Sequence, residues 1–287
     1  MANLKEIRGR ITSISSTMQI TSAMKMVAAA KLKKAQDAIV MLRPYSEKLQ
    51  EIIQNVNSSS AADQVSVYAQ QREVKKVLYI AISSNRGLAG AFNSSVVKEL
   101  NNQLQLRSGV DAQVLTIGKK VYDAARKSGE VYLNASNLFD NLTFDAVSNV
   151  AINVMKDFVD GKFDEVYIVY NKFINAATQE VQAEKLLPIS MPEVEDQGVE
   201  TDYIFEPNRN EILDNLIPKS IKTQLFKAVL DSVASEHGAR MTAMHKATDN
   251  AQAMKSDLVI YYNKARQAAI TNEILEIVSG AEALKNS

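Results

Sequence analysis

Hydrophobic positions at the two ends of the chain repeat with the same period. From the N-terminus, positions spaced alternately three and four apart read Leu4, Ile7, Ile11, Ile14, Met18, Thr21, Lys25, Ala28, Leu32, Ala35, Ile39 and Leu42. Ten of these twelve are apolar. A stripe this narrow and this long is a coiled-coil seam rather than the broader face of a surface helix. Pro44 is expected to kink this helix without ending it, because the phase resumes at Leu49, Ile53 and Val56. The run Asn57-Ser58-Ser59-Ser60 should stop it. At the other end, 219–279 contains no proline and one glycine, Gly238. There the seam reads Leu230, Val233, His237, Met241, Met244, Thr248, Ala251, Met254, Leu258, Tyr261, Ala265 and Ala268. Its Ala and Met side chains let a partner helix come close and repack. At 1.5 Å per residue the stretch spans roughly 90 Å, too long to fold back into a compact core.

One helix enters the middle of the chain and the other leaves it, so seams that meet must run antiparallel. The second helix should overshoot the first by about 20 residues, or roughly 30 Å. In that overshoot Ala268, Ala269, Ile270, Ile274, Leu275, Ile277, Val278, Ala281 and Leu284 point almost all round the helix. A helix apolar on every side is normally enclosed by other protein, and no helix of its own chain is left to cover this one. A sleeve formed by other subunits is the expectation.

Between the ends the period changes. Val77–Ile82 reads as a buried strand, Val96–Leu106 as a helix and Ala112–Ile117 as a strand. Helices over Lys119–Lys127 and Phe144–Val159, a strand over Glu165–Tyr170 and a last strand over Glu180–Leu187 complete the series. Strand–helix alternation predicts an α/β domain with a mainly parallel sheet. Composition divides the chain at the same places. Seven of ten glycines lie between Gly87 and Gly198, and 14 of the 18 Tyr and Phe between Tyr68 and Phe205. The expected organisation is an N-terminal coiled-coil helix (1–57), a central α/β domain (73–205) and a C-terminal coiled-coil helix (209–287).

Net charge is zero, yet residues 1–43 carry eight basic and two acidic side chains, while 44–218 carry 16 basic and 24 acidic. Segments with different surroundings are implied. No apolar stretch approaches the roughly 20 residues needed to cross a bilayer, and the opening residues do not read as a signal or transit peptide. The chain has no cysteine, which removes disulfides, thiolate metal sites and cysteine nucleophiles.

The most motif-like segment is Ser83-Ser84-Asn85-Arg86-Gly87-Leu88-Ala89-Gly90-Ala91-Phe92-Asn93, between the first strand and its helix. A glycine-rich turn at this place can cradle phosphate, but the spacing matches neither G-x-G-x-x-G nor G-x-x-x-x-G-K-[ST]. The alternative is a tight strand-to-helix connection with Asn93 or Ser94 as N-cap. His237 and His245 stand eight apart near one helix face, without further ligands at metal-binding spacing; a solvated or seam position is expected. The basic face of Arg8, Arg10, Lys31, Lys33 and Lys34 lacks the interleaved aromatics of a nucleic-acid site. Thr21 and Lys25 interrupt the first seam, either as a register adjustment or where the pair loosens to meet a surrounding surface.

The stretches Ile7–Ile14 (IRGRITSI) and Ile20–Leu32 (ITSAMKMVAAAKL) resemble the N-terminal helix of the gamma subunits of F-type, proton-translocating ATP synthases. So do Ser235–Met244 (SEHGARMTAM), Ala247–Ala251 (ATDNA), Tyr262–Ile274 (YNKARQAAITNEI) and Glu276–Ala281 (EIVSGA) at the other end. Asn85–Asn93 and the Phe205-Glu206-Pro207 turn fit as well, so the resemblance spans the whole chain.

That resemblance implies a Rossmann-like central domain beside a long antiparallel coiled coil, acting as a non-catalytic rotor shaft. The shaft would transmit torque between a proton-driven membrane ring and the catalytic beta subunits, at the cytoplasmic face of the bacterial inner membrane. Implied partners are the alpha and beta subunits, the epsilon subunit and the rotor ring; no cofactor, metal or nucleic acid is implied. By similarity Arg266, Gln267 and Thr271 match positions that hydrogen-bond a beta-subunit loop. Arg240 and Glu273 join them as expected beta contacts, and Met24 falls where a methionine packs against the moving part of beta. The cysteine-bearing regulatory insertion of chloroplast relatives is absent. Competing readings are a nucleotide-dependent enzyme built on the α/β domain and a basic coiled coil that binds nucleic acid.

Overall fold

The computed structural model describes residues 4–58, 66–129, 131–189 and 209–285. Two very long helices, α1 (Leu4–Ser58) and α5 (Arg209–Lys285), bracket an α/β core. The core runs β1 (Lys76–Ile82), α2 (Phe92–Leu106), β2 (Asp111–Ile117), α3 (Lys119–Ala125), β3 (Val131–Asn134) and a 3-10 turn (Ser136–Phe139). It continues through α4 (Phe144–Val159), β4 (Glu165–Phe173) and β5 (Gln179–Leu187). The chain forms two compact units: Met1–Val27 with Met241–Ser287, and Ala28–Arg240.

In the larger unit the five strands are ordered β3-β2-β1-β4-β5, all parallel except the β4–β5 hairpin. This is a mixed sheet of the doubly wound kind, as the alternating pattern required. The order reverses between β1 and β4. Side-chain alternation along β1 splits its burial. Val77, Tyr79 and Ala81 pack with Val96 and Leu100 of α2 and Val121 and Ala125 of α3. Leu78, Ile80 and Ile82 pack on the opposite face with α4 and the first turns of α5, including Leu213, Ile217, Ile221 and Leu225. Every residue from Val77 to Ile82 is fully buried, which explains why this strand reads as a continuous apolar run. Each such aliphatic side chain contributes about 1.5–3 kcal/mol.

Observed elements follow the sequence expectations, with α4 coinciding end to end. Missing from the expectation were β3 and the 3-10 turn, a four-residue edge strand and a single turn without a periodic signature. The expected N-cap of α2 is corrected. Ala91 occupies that position without a side-chain bond; Asn93 instead accepts from the Ser84 amide at 3.0 Å, and the Ser94 hydroxyl donates back to the Ala91 carbonyl.

In the helical unit α1 and α5 pair antiparallel. The Thr21 and Thr248 hydroxyls lie 2.8 Å apart, and Lys255 Nζ donates to Ser15 Oγ at 3.3 Å. Every expected α1 seam position from Leu4 to Lys25 is buried or half-buried, and the seam's polar gap at Thr21 is closed by this cross-helix bond. The α5 seam needs a correction. Beyond Ala251 the covered positions are Lys255, Leu258, Tyr262, Ala265 and Ala269, not Met254, Tyr261 and Ala268. The three-and-four alternation survives with its phase inverted, leaving Met254 56% and Tyr261 50% exposed. A Lys in a seam hides from pattern reading, because its aliphatic stem can lie along the groove while the ammonium reaches a hydroxyl.

Candidate functional site

In doubly wound sheets the place for a ligand is the crevice at the carboxyl ends of the strands where the order reverses. Here the turn after β1 lies against α5 through Arg240, and its first residues cap the neighbouring helix α3, which follows β2. The first three N–H groups of α3 are all satisfied from the segment after β1: Lys119 donates to Asn85 Oδ1 (2.9 Å), Lys120 to the Ser84 carbonyl (3.1 Å) and Val121 to Ser83 Oγ (2.9 Å). Oxygens of Ser83-Ser84-Asn85 thus stand where phosphate oxygens would. Gly118 makes this approach possible: its φ is +114°, and a Cβ there would lie 2.1 Å from the Ser83 carbonyl oxygen. Asn85 also donates to the Ser136 carbonyl, and the Ser84 hydroxyl lies 2.6 Å from the Arg86 carbonyl and 2.9 Å from Asn93 Oδ1.

The same segment grips α5. Arg240 is buried, 9% exposed, and its guanidinium donates to the carbonyls of Gly87 and Arg86 while pairing with Glu236 at 2.6 Å. Ala239 packs in one apolar cluster with Ala89 and Phe92. On another side the β4–β5 hairpin closes in, for a Cβ on Gly238 would lie 3.2 Å from the Ala176 Cα and carbonyl oxygen. This contact accounts for a glycine inside a helix, where it otherwise costs about 1 kcal/mol. The Ser235 hydroxyl donates to the Asn171 carbonyl at 3.0 Å, and the Asn171 side chain bridges the Phe92 carbonyl and Ser95. All six residues from Ser235 to Arg240 are buried or half-buried, so α5 is enclosed around its whole circumference.

His237 lies in this enclosure, its Nδ1 buried without a hydrogen-bond partner among the described residues. Burial first, then Lys31 and Arg240, lower its pKa to about 4, so the imidazole is neutral at pH 7. His245 is exposed beside Asp249, and among the described residues no cluster of His, Asp or Glu could hold a metal. Asp231, earlier on α5, is also buried. Burial raises its pKa to about 6 against the pull of Lys227, Arg43 and Lys172, with Glu184 adding to the rise.

The helical unit presents the opposite picture. Beyond Ala269 every residue of α5 described in side-chain detail is exposed: Ile270 by 48%, Ile277 by 68% and Leu284 by 80%. Arg266, Gln267, Thr271 and Glu273 are all exposed. Gln267 and Thr271 share a face, the Thr271 hydroxyl donating to the Gln267 carbonyl at 2.9 Å, while Arg266 and Glu273, seven apart, share another. Met24 is half-buried on α1. Arg240 stands apart from these expected contacts, its hydrogen bonds lying within its own chain. The role of Ser83-Ser84-Asn85 as a helix cap escaped the sequence reading; three small polar residues directly after an apolar strand were its available signal.

Fold and site together define a scaffold class: a doubly wound α/β unit whose β1 turn is occupied by its own α5, and a helical unit in which α5 is exposed from Ile270 onward. A family model described as ATP synthase matches residues 3–284. ATP synthase gamma chains of Flavobacterium johnsoniae and Flavobacterium psychrophilum are 58% and 59% identical over 284 and 286 residues, covering 99% of this chain and 99% and 100% of theirs. That of Geotalea daltonii is 43% identical over 287 residues, covering 99% of this chain and all of its own length. The chain belongs to the ATP synthase gamma-chain family. Its fold is shared by a chain in the rotor of Euglena gracilis mitochondrial ATP synthase, with a TM-score of 0.65, 22% identity and coverage of 93% and 98%. A second structure of that enzyme, in rotational state 3, gives a TM-score of 0.70 at 21% identity, covering 98% and 94%.

Proposed function

We propose that this chain is the non-catalytic central shaft of a proton-translocating ATP synthase. It carries torque between a membrane rotor ring and three catalytic beta subunits. The observation that carries this reading is the uncovered apolar tip of α5 in a gamma-chain family member: a helix bare on all sides demands an enclosing sleeve, and alternating alpha and beta subunits would form it. Small and aliphatic side chains suit a surface that turns inside that sleeve, since few strong contacts must break at each step. One rod can bias three equivalent sites differently only by touching each differently. Against the apolar ground of the tip, Arg266, Gln267, Thr271 and Glu273 supply the directional contacts to beta, and Met24 supplies a deformable one. The α/β domain would rest on the rotor ring beside the epsilon subunit. The chain would then be peripheral at the cytoplasmic face of the inner membrane, as no helix among the described residues is long and apolar enough to cross a bilayer. The three parts 1–57, 73–205 and 209–287 are on this reading shaft, foot and shaft again.

A nucleotide-dependent enzyme is disfavoured because the first N–H groups of α3 are spent on Ser83, Ser84 and Asn85, and the Arg86–Gly87 turn before α2 is occupied by Arg240. The test uses the cysteine-free background. Leu106, 77% exposed in the α/β unit, is replaced in the assembled complex (Leu106→Cys), labelled with a fluorophore and followed by polarised emission during ATP hydrolysis. Stepwise unidirectional rotation is expected; a label that keeps one orientation during turnover overturns the proposal.

A further inference from the structure

A shaft must be gripped somewhere, and in the larger unit α5 is buried or half-buried at every residue from Ser220 to Arg240; the last six of these are also held by polar and backbone contacts. Four residues of Ser235–Arg240 are each held from outside the helix. The Arg240 guanidinium lies on two carbonyls of the Arg86–Gly87 turn and is pinned from behind by Glu236. Ala239 packs with Ala89 and Phe92, the Ala176 backbone lies against Gly238, and Ser235 bonds the Asn171 carbonyl. The two gripping loops are themselves braced. Asn171 ties the hairpin strand to the first turns of α2 through Phe92 and Ser95, and Ser84, Asn85 and Asn93 tie the other loop to α2, α3 and the 3-10 turn. In that loop Leu88 is held at φ +63°, a left-handed conformation that costs a leucine energy and persists where its surroundings over-determine it.

From this geometry we infer that residues 86–92 and 171–176 form a collar that clamps α5 at Ser235–Arg240, with Arg240 as the positioning residue that locks it, so that the α/β domain and this helix turn as one body. The inference rests on the shaft reading. A helix held only by an apolar stripe can roll about its axis, because apolar contacts have no direction. Forked charge-assisted bonds to two backbone carbonyls, on the side away from a glycine pressed against backbone, cannot follow such a roll. Arg240 therefore serves inside its own chain, and a lysine would not replace it, having no planar fork to span both carbonyls.

The test is rescue by a covalent collar. In the assembled complex, Arg240→Gln is expected to keep ATP hydrolysis but lower proton pumping, because the helix, still anchored in the core by Leu213, Ile217, Ile221 and Leu225, twists where it leaves the domain. Adding Ala89→Cys and Ala239→Cys and oxidising the pair should restore pumping, and reduction should lower it again. A restored phenotype cannot come from an arginine that works by touching a beta subunit; failure of the formed disulfide to restore pumping overturns the collar. The second arm needs no disulfide. In the free chain, hydrogen exchange at the amides of 235–240 should quicken roughly tenfold in Arg240→Gln, the loss of one buried charge-assisted bond. Unchanged exchange also overturns the proposal. Failure of the shaft reading shows differently, as a Leu106→Cys label that does not rotate in the otherwise unaltered complex.

Discussion

In the unit Ala28–Arg240, Val77 to Ile82 are wholly buried, whereas in the helical unit the large apolar side chains from Ile270 to Leu284 are between 48% and 80% exposed. Both stretches are aliphatic, and both are the kind of sequence that burial explains. They differ in who supplies the cover. A central parallel strand has helices of its own chain on each face; a helix that outruns its partner has none. Polar groups follow the same division. Around β1 the hydroxyls and amides of Ser83, Ser84, Asn85 and Asn93 are consumed within the chain, while on the tip Arg266, Gln267 and Glu273 point outward. One unit is finished by its own residues and the other leaves its apolar end exposed. Substitutions in the first should therefore register in the free chain, and substitutions in the second only in the complex.

The sharpest break is at Gly118. A methyl group there would sit 2.1 Å from the Ser83 carbonyl oxygen, in a backbone conformation of φ +114° that disfavours any side chain. Gly118→Ala should cost on the order of 4 kcal/mol or more, among the large effects that follow from backbone clash and strain. Gly109→Ala, where a Cβ meets nothing within 4 Å, should be near neutral. Urea midpoints of the free chain separate the two, and equal midpoints would sink the account of the capped α3 N-terminus.

A smaller effect comes from the two buried titrating groups of the same unit, which pull in opposite directions. The His237 pKa falls from 6.5 to about 4 on folding. The unfolded chain therefore takes up this proton first, and stability is lost as pH drops from about 6.5 to about 4. The Asp231 pKa rises from 3.8 to about 6. Its buried charge costs stability above pH 6, and that cost is relieved as pH falls toward 3.8. Between about pH 4 and 6 the slopes oppose, and the native chain should show a shallow acid profile. Asp231→Asn should steepen acid destabilisation and His237→Gln should abolish or reverse it, each by at most about 3 kcal/mol across the window. Parallel profiles for all three chains would show that neither group is buried as described.

The sequence made the architecture legible where physics leaves a periodic trace. The α1 seam and the run of β1 each repeat their period many times, so single exceptions such as Thr21 did not hide them. Local, unrepeated solutions were not legible. The phase change after Ala251 turns on Lys255 behaving as an apolar stem, which its residue type conceals. The 86–92 grip on Arg240 joins residues some 150 positions apart in sequence, by bonds to backbone carbonyls that any residue could provide. The exposed tip was legible for a plain reason: antiparallel topology counts which residues lack a partner.

The tip offers the mildest structural change and the most discriminating one. Gln267 and Thr271 share an exposed face, and the one hydroxyl bond there runs within the helix. Replacing both by Ala should move the stability of the free chain by no more than about 0.5 kcal/mol, as for surface positions without special features. Alanine's better helix propensity offsets the lost back-bond. If these residues meet a beta-subunit loop, the same pair should lower coupled ATP synthesis in reconstituted vesicles while the complex still assembles. The contrast with Gly118 is then complete, one substitution damaging the chain and the other only the machine. Wild-type synthesis rates with the double variant would remove the contact role from this face and leave the aliphatic surface alone to distinguish the three sites.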